Sequence, residues 1–324
     1  MISYNVLVTG GAGFIGSNLC DYLLENNHNV INVDNFNNYY SIEIKRKNVK
    51  ENLNHPNYKI VEIDITNYDD LERVFENNEI DIVIHLAALA GVRPSINNPL
   101  LYSEVNVIGS QYILELCNKY KIRKFICASS SSVYGNNKKV PFKESDNVDF
   151  PISPYAATKK TCEVISHVYH HLYKIDVALL RFFTVYGPRQ RPDLAIHKFT
   201  DMISKGESIP FYGDGNTMRD YTYIDDIIDG IIKSMNYVMN NEDVYEIFNL
   251  GESQTISLNE LVNSIEEGLG IKAKRNILPM QMGDVHKTYA DISKAKELIN
   301  YNPQTSFQEG IKKFIHWYKE NRNS

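Results

Sequence analysis

A glycine-rich loop between a predicted strand and a predicted helix restricts the fold of this chain more than any other feature. The apolar segment Asn5–Thr9 runs directly into the sequence GGAGFIG, and a helical pattern follows over residues 13–26. Glycines at these spacings allow a tight turn and a close approach of the backbone to a pyrophosphate, and the helix start presents free N–H groups. The pattern predicts a dinucleotide site, with contacts from Gly10, Gly11, Gly13, Phe14, Ile15 and Gly16.

An acidic residue at the end of the second predicted strand indicates which dinucleotide binds. Asp34 follows Gly16 by 18 positions and closes the segment Asn29–Asp34. Its carboxylate can accept hydrogen bonds from a ribose 2′,3′-diol and would repel a 2′-phosphate, so the sequence favours NAD over NADP. Asp64 and Ile65 close the third predicted strand, where an adenine edge can be read; an N-cap role for Asp64 is the alternative.

Short apolar runs alternate with helical patterns through the first half of the chain. Runs rich in Val and Ile without clean alternation predict strands covered on both faces, at residues 5–9, 29–34, 58–63, 80–86 and 124–129. Helices are predicted between them at residues 13–26, 68–77 and 100–120. This order predicts an α/β fold, a Rossmann-type doubly wound parallel sheet with right-handed crossovers.

The rhythm changes after a predicted helix at residues 154–173 and a strand at 175–181. Later segments predict a turn at 211–215, short strands and further helices, and therefore a smaller C-terminal α/β substrate domain. We expect an NAD-binding domain over residues 1–182 and a substrate-binding domain over 183–324. The boundary is not a clean one, because later elements can return to the first sheet.

Composition and charge exclude several classes of protein. The 324 residues are 43% hydrophobic and carry 34 Lys and Arg against 40 Asp and Glu, a net charge of −6, so we expect no nucleic-acid partner. No apolar run approaches the roughly 20 residues of a membrane span, and we expect neither a membrane partner nor a secretory signal. Four cysteines without metal-ligand spacing predict buried free thiols and a cytoplasmic protein. His167 and His171 have no evident third ligand, so no metal site is predicted.

A tyrosine and a lysine four residues apart lie in the predicted helix at 154–173. Tyr155 and Lys159 share one face of that helix, and a fixed cation beside a phenol favours the phenolate. Such a pair can act as a general base on a substrate hydroxyl. The serine run at residues 129–132 follows the fifth predicted strand, at the edge of the sheet where ligands bind in doubly wound folds.

These motifs together resemble the extended short-chain dehydrogenase/reductases that act on nucleotide sugars, the NAD-dependent epimerase/dehydratase family. The similarity runs from about residue 6 to 317. Within the family it is greatest to the 4-epimerases of UDP-glucuronate, through the stretches DNFNNYY at 34–40, HLAALAGVRPS at 85–95 and RFFTVYGPRQRPD at 181–193.

The resemblance implies epimerisation at C4 of a UDP-hexuronate, UDP-glucuronate to UDP-galacturonate, through a 4-keto intermediate and with tightly held NAD. Tyr155 would be the base, Lys159 would bond the nicotinamide ribose, and Ser130 would hold O4. Further cofactor contacts are implied for Asn35, Leu86, Ala87 and Ala88. A homodimer through the helices at 100–120 and 154–173 is also implied.

The substrate adds a physical requirement, because oxidation of C4 in a hexuronate gives a β-keto acid that readily loses CO₂. An epimerase must anchor the carboxylate, for which a cation and hydroxyl donors are suited. The candidates for this role are Ser130, Ser131, Ser132, Thr184 and Arg191. Arg93, in the loop after the fourth strand, could touch the sugar or a phosphate. The resemblance implies a diphosphate contact for Arg219 and a uridine-ribose contact for Asp284.

Four alternatives remain at this point: a dehydratase, a decarboxylase, a neutral-sugar 4-epimerase and a non-catalytic NAD-binding regulator. Family dehydratases and decarboxylases carry acidic residues after the catalytic serine. This chain has Ser131 and Ser132 there, which disfavours both reactions. A 4-epimerase of UDP-glucose or UDP-N-acetylglucosamine is the nearest rival. A non-catalytic NAD-binding regulator is the alternative from another class, and the intact Tyr155, Lys159 and Ser130 disfavour it.

Overall fold

A seven-stranded parallel sheet takes its strands from both halves of the chain. The computed structural model describes residues 2–279 and 286–321. The strands are β1 Asn5–Thr9, β2 Asn29–Asp34, β3 Tyr58–Glu62, β4 Ile82–His85, β5 Lys124–Ser130, β6 Asp176–Phe182, β7 Thr184–Tyr186, β8 Ser208–Tyr212, β9 Met218–Tyr223, β10 Tyr245–Leu250, β11 Thr255–Ser257 and β12 Lys274–Leu278. The large sheet has the order β10-β6-β5-β4-β1-β2-β3, which confirms the predicted doubly wound fold.

Helices cover both faces of this sheet. They are α1 Phe14–Glu25, α2 Ile42–Val49, α3 Tyr68–Glu76, α4 Val92–Asn97, α5 Pro99–Ser103, α6 Gly109–Lys119, α7 Pro154–Tyr173, α8 Ala195–Ser204, α9 Ile224–Asn240, α10 Leu258–Leu269, α11 Ser293–Ile299 and α12 Phe307–Asn321. Successive residues of β1 point to opposite faces: Val6 and Val8 pack into one apolar core with α1 and α9, and Leu7 packs into another with α3 and α6. Burial on both faces is why the strands read as continuous apolar runs.

The second half builds two small sheets and also returns to the large one. Strands β11, β9 and β7 form a three-stranded sheet, and β12 pairs with β8. Strand β10 pairs in parallel with β6, and α9 packs against α1, β5 and β6. The chain thus crosses back to the large sheet after residue 182.

Two sequence predictions are wrong in detail. The helix predicted at 100–120 is interrupted by a wide π-helical segment, Glu104–Ile108, which places the buried Asn106 amide against the backbone N–H and C=O of Leu89. The turn predicted at 211–215 begins only at Gly213, because Phe211 and Tyr212 pair with the distant β12.

All four cysteines are buried free thiols, as predicted, and burial raises the pKa of each. Among the described residues, none of the helices combines the length and the apolar character that crossing a bilayer requires.

Candidate active site

A cleft opens at the carboxyl ends of the parallel strands, where the strand order reverses between β1 and β4. This switch point is where ligands bind in doubly wound folds. The predicted site residues that line the cleft are Gly10, Gly13, Phe14, Ile15, Gly16, Asp34, Asn35, Asp64, Ile65, Leu86, Ala87, Ala88, Ser130, Tyr155, Lys159, Thr184 and Arg191.

The glycine loop is held by contacts that leave no room for side chains. Gly10 has a φ of +75°, and a Cβ there would lie 2.8 Å from the backbone nitrogen of Ala87. A Cβ on Gly16 would lie 2.2 Å from the carbonyl oxygen of Gly10. Gly11 packs against the Asn32 side chain rather than lining the cleft. The loop therefore brings the bare start of α1 up to the cleft.

Asp34 is buried at the end of β2 and is held by backbone donors. Its Oδ2 accepts a hydrogen bond from the N–H of Ala12 at 3.1 Å, and its Oδ1 accepts one from Phe36 at 2.9 Å. Each carboxylate oxygen can accept a further hydrogen bond. Asp34 therefore ties the glycine loop to the β2 loop and keeps acceptor capacity for a diol.

Asp64 is not a helix cap, because Asn67 caps α3 through the N–H of Asp70. Asp64 Oδ2 instead accepts a hydrogen bond from Asn35 at 2.6 Å, and its Oδ1 accepts from Thr66. Burial raises the pKa of Asp64, but these hydrogen bonds outweigh it and hold the pKa below its usual value. The pair of Asn35 and Asp64 joins the loops that follow β2 and β3 at the cleft.

These features fit a bound dinucleotide. The helix α1 begins at Phe14, its N-cap residue Gly13 supplies no side-chain cap, and its first turn holds no acidic residue. Its first N–H groups and the positive end of its dipole are therefore available to a pyrophosphate. Asp34, at the second strand end, is suited to the ribose hydroxyls of NAD.

Tyr155 and Lys159 face the cleft from the first turns of α7. The helix starts at Pro154 because Ser153 caps it, accepting a hydrogen bond from the N–H of Ala156. Lys159 is 5% exposed, and its Nζ donates to the carbonyl of Ala128 at 2.7 Å, which leaves two protons for a ligand. The predicted pair is thus brought together at the cleft.

The serine run divides between the cleft and the turn behind it. Ser129 and Ser130 end β5 and line the cleft, whereas Ser131 and Ser132 begin a short 3₁₀ helix and are outside its described lining. Ser130 Oγ donates to Ser132 Oγ at 3.1 Å and accepts from the N–H of Ser132.

Arg191 lines the cleft from the loop at residues 187–194. Its guanidinium forms two hydrogen bonds with Asp193 and lies 5.1 Å from the centre of the Tyr39 ring. Burial lowers the pKa of Arg191, but Asp193, Tyr39 and Tyr155 together raise it above its usual value. Arg191 is therefore a permanently charged cation within electrostatic reach of Tyr155.

Two predicted substrate residues, Arg93 and Arg219, lie outside the described lining of the cleft. The guanidinium of Arg93, on α4, lies 5.7 Å from the centre of the Tyr212 ring. Arg219 donates to the carbonyl of Met218 on β9. Asp284 falls outside the described residues, so its expected contact stays a prediction.

The loop after β2 and the helix α2 that follows it contribute cleft residues that the sequence analysis did not assign. Asn37, Tyr39, Tyr40 and Lys45 line the cleft, and Lys45 Nζ donates to Asn37 at 3.0 Å. Burial lowers the pKa of Lys45 despite the nearby Asp34. The available signal was the spacing of Lys45 with the buried Val49 on one face of α2.

A buried carboxylate holds the second half together near Arg219. Asp220 accepts hydrogen bonds from the backbone N–H groups of Glu252, Ser253 and Ala290, and so joins β9 to two other segments. Burial raises the pKa of Asp220 to about 6, although those donors oppose the shift. Glu252 lies beside it, with Oε2 buried and no hydrogen-bond partner among the described residues.

The substitution Glu252→Gln should stabilise the protein increasingly as the pH rises. Burial, together with Asp226 and Asp220, raises the pKa of Glu252 to about 8 from its usual 4.5. Between these values Glu252 binds fewer protons in the unfolded chain than in the folded one, so its contribution to stability falls as pH rises. The gain in Tm from Glu252→Gln should be smallest near pH 4 and largest above pH 8. Thermal melts across that range test it, and a pH-independent gain would contradict it.

The doubly wound sheet, its glycine loop and the Tyr155–Lys159 helix at the switch point define an extended short-chain dehydrogenase/reductase. Residues 7–314 match the family described as GDP-mannose 4,6 dehydratase, and the chain belongs to that family.

Within this family, the chain is similar to several 4-epimerases of UDP-sugars. A UDP-glucuronate 4-epimerase of Thermodesulfobacterium geofontis (strain OPF15) is 45% identical over 316 residues, which is 97% of this chain and 96% of the relative. The crystal structure of UDP-glucuronic acid 4-epimerase from Bacillus cereus, in complex with UDP-glucuronic acid and NAD, has a TM-score of 0.91 and 36% identity over 98% of this chain and 99% of that one. The crystal structure of a UDP-glucose 4-epimerase from Thermotoga maritima with UDP-glucose has a TM-score of 0.89 and 35% identity, with 98% and 99% coverage.

Proposed function

We propose that this protein is an NAD-dependent 4-epimerase that interconverts UDP-glucuronate and UDP-galacturonate. The observation that carries the proposal is the cleft itself, whose lining brings together Tyr155, Lys159, Ser130 and the cation Arg191. The first three suit oxidation of a sugar hydroxyl, and the fourth suits a carboxylate. The likeness to the relatives from T. geofontis and B. cereus supports the same substrate.

The proton transfers are assigned to Tyr155. Its phenolate takes the proton from the C4 hydroxyl, while Ser130 donates a hydrogen bond to O4 and Lys159 stabilises the phenolate by its positive charge. Bound NAD supplies the hydride acceptor for C4 and then the hydride donor to the opposite face. Once the keto sugar has rotated in the cleft and presents its other face, Tyr155 returns the proton to O4.

The two halves of the chain are assigned different ligands. We assign cofactor binding to residues 1–182, with Gly10, Gly13 and Asp34 as central contacts, and sugar-nucleotide binding to 183–324, with Thr184 and Arg191. The four buried thiols support a reducing, cytoplasmic location.

The decisive experiment incubates the purified protein separately with UDP-glucuronate, UDP-glucose and UDP-N-acetylglucosamine and follows the products by NMR. We expect UDP-galacturonate from the first, with protein-bound NAD that copurifies and is not consumed. A stoichiometric requirement for added NAD would contradict the mechanism. NAD binding without turnover of any UDP-sugar would instead indicate a non-catalytic regulator.

A neutral-sugar 4-epimerase is the second candidate, favoured by the close likeness to the T. maritima structure with UDP-glucose. Dehydration is disfavoured despite the family's description, because Ser131 and Ser132 stand where family dehydratases carry an acid–base pair. The same NMR experiment separates these reactions by their products.

Arg191→Ala should weaken the turnover of UDP-glucuronate by roughly ten- to a hundredfold, because a charge-assisted hydrogen bond is worth about 1.5–3 kcal/mol. Any turnover of UDP-glucose, which has no carboxylate, should change little. Arg191→Lys should restore activity only in part, since an ammonium lacks the planar fork of a guanidinium. Values of kcat/KM for the two substrates test this. Equal losses of kcat/KM for UDP-glucuronate and UDP-glucose would favour the neutral-sugar 4-epimerase instead.

A homodimer is proposed from an apolar surface on α5 and α7. Leu100 is 85% exposed and Leu172 58% exposed, and Val164, Val168 and Leu172 follow each other at four-residue spacing along one face of α7. Exposed apolar faces of this kind mark subunit contacts. We expect a dimer by light scattering, and a monomer for Val168→Glu with Leu172→Glu. The control Ile277→Glu, on β12, should leave the dimer intact.

A further inference from the structure

The guanidinium of Arg191 is held by a carboxylate of its own loop. Arg191 Nε donates to Asp193 Oδ1 at 2.9 Å, and Nη2 donates to Oδ2 at 2.8 Å. The Arg191 side chain is 15% exposed and that of Asp193 45% exposed. Arg191 lines the cleft, whereas Asp193 lies outside its described lining. The carboxylate therefore holds the cation from the solvent side.

The loop that carries the pair is fixed at both ends. The N–H of Leu194 donates to the carbonyl of Arg191 at 3.2 Å, a turn that brings Asp193 beside the guanidinium. Arg189 pairs with Asp21 of α1 at 2.7 Å. His197 of α8 contacts the carbonyl of Gln190 at 2.6 Å. With the backbone fixed, the orientation of the guanidinium depends on its two bonds to Asp193 and on the Tyr39 ring.

We infer that Asp193 is a positioning residue that sets selectivity for a uronate substrate, and this inference rests on the proposed function. A guanidinium has five N–H donors in one plane. In the described part of the chain, its hydrogen bonds through Nε and Nη2 go to Asp193. The Nη1 donors are thereby kept for the C6 carboxylate, at an angle that Asp193 determines.

A fixed carboxylate matters because the 4-keto sugar is a β-keto acid. When the C5–C6 bond aligns with the carbonyl π system, that bond breaks and CO₂ leaves. The electron pair then moves into the C4 ketone as an enolate, and C5 takes up a proton, giving UDP-4-keto-pentose. By holding Arg191 in one orientation, Asp193 keeps the C5–C6 bond out of that alignment.

The test uses Asp193→Ala in the NAD-loaded protein. We expect the variant to bind UDP-glucuronate roughly three- to tenfold more weakly, since ordering a freed arginine costs about 0.5–1.5 kcal/mol. Affinity for UDP-glucose should change by less than about twofold, because that sugar has no carboxylate for Arg191 to hold. Both are measured by calorimetry in the Tyr155→Phe background. With Tyr155 intact, UDP-4-keto-pentose should rise as a fraction of product by mass spectrometry.

A double-mutant cycle separates a positioning role from a general one. If Asp193 acts through Arg191, then Asp193→Ala has no further effect on UDP-glucuronate affinity once Arg191 is alanine. The matched control is Asp21→Ala, which removes the other ion pair of the same loop and should leave the ratio of the two affinities unchanged.

Several results would overturn the inference. Tighter binding of UDP-glucuronate by Asp193→Ala would mean that Asp193 competes with the substrate. Additive losses in the cycle, or an equal shift in the Asp21→Ala control, would mean that the loop is merely weakened. If the unmutated protein does not convert UDP-glucuronate at all, the proposed function fails first, and that outcome is distinct from these.

Discussion

Tyr155→Phe is expected to lower kcat for UDP-glucuronate strongly. The decrease should be at least about 10²–10⁴-fold, which is typical when a general acid–base group is lost. The substitution removes only the phenolic oxygen, which we assign to the proton transfer at O4. The ring contact with Tyr102, whose centroid lies 6.3 Å away, is preserved. The start of α7 also remains, because the N–H of Tyr155 donates to Ser95 through the backbone. Folding and NAD binding should therefore survive.

Steady-state kinetics and the NAD content of the purified variant test this prediction together. The matched control is Tyr173→Phe, the same substitution at the far end of the same helix, where we expect unchanged kcat. A Tyr155→Phe variant that kept a tenth of the original kcat would remove Tyr155 from the role of base. Loss of NAD along with activity would show damage to the fold.

Glu163→Gln is expected to lower the free energy of unfolding by about 3–5 kcal/mol, the usual cost of breaking a buried ion pair. Glu163 and Arg181 are each 1% exposed, and the two groups meet through hydrogen bonds of 2.8 Å from Nε and Nη2. Arginine cannot lose its proton to escape this burial. The charge of Arg181 would then remain uncompensated, beside the further cation Lys160.

Urea unfolding measures the loss. Glu309→Gln is the control, because Glu309 pairs with Lys313 at the surface of α12, where an exposed pair is worth about 0–1 kcal/mol. Arg181→Met should cost less than Glu163→Gln, since a buried carboxyl can protonate. A Glu163→Gln variant as stable as the Glu309→Gln control would show that the pair contributes no stability.

This ion pair also connects the two elements, α7 and β5, that carry Tyr155 and Ser130. Ser129 donates to Glu163 at 2.7 Å, next to Ser130 in β5. Tyr155, Lys159 and Glu163 follow each other at four-residue spacing on α7. The pair therefore joins the helix that carries Tyr155 to the strand that carries Ser130.

The local sequence determined the parts of this protein that depend on neighbouring residues. The glycine loop, the strand ending at Asp34 and the helix Pro154–Tyr173 were all predicted closely, because turn glycines, apolar runs and an N-cap act over a few residues. The same patterns gave Tyr155 and Lys159 on one helix face. Family likeness supplied the proposed substrate and reaction, since no local pattern encodes a sugar.

The tertiary structure decided what depends on distant residues. Strand β10 joins the large sheet beside β6, and β12 converts the predicted turn at Phe211 into a strand. Lys45 lies in the cleft because the tertiary structure places α2 beside Asp34. Pairing between strands and the burial of a charge need partners far away in sequence, so no short pattern reports them.

Arg191 shows the division most clearly. From the sequence it was a cation in a loop, with no indication of its orientation. The fold places it in the cleft near Tyr155, over the ring of Tyr39, and joins it to Asp193. The sequence determined that a permanent charge exists near the motif, but only the folded loop decided which donors it offers, because hydrogen-bond direction is a property of three-dimensional geometry.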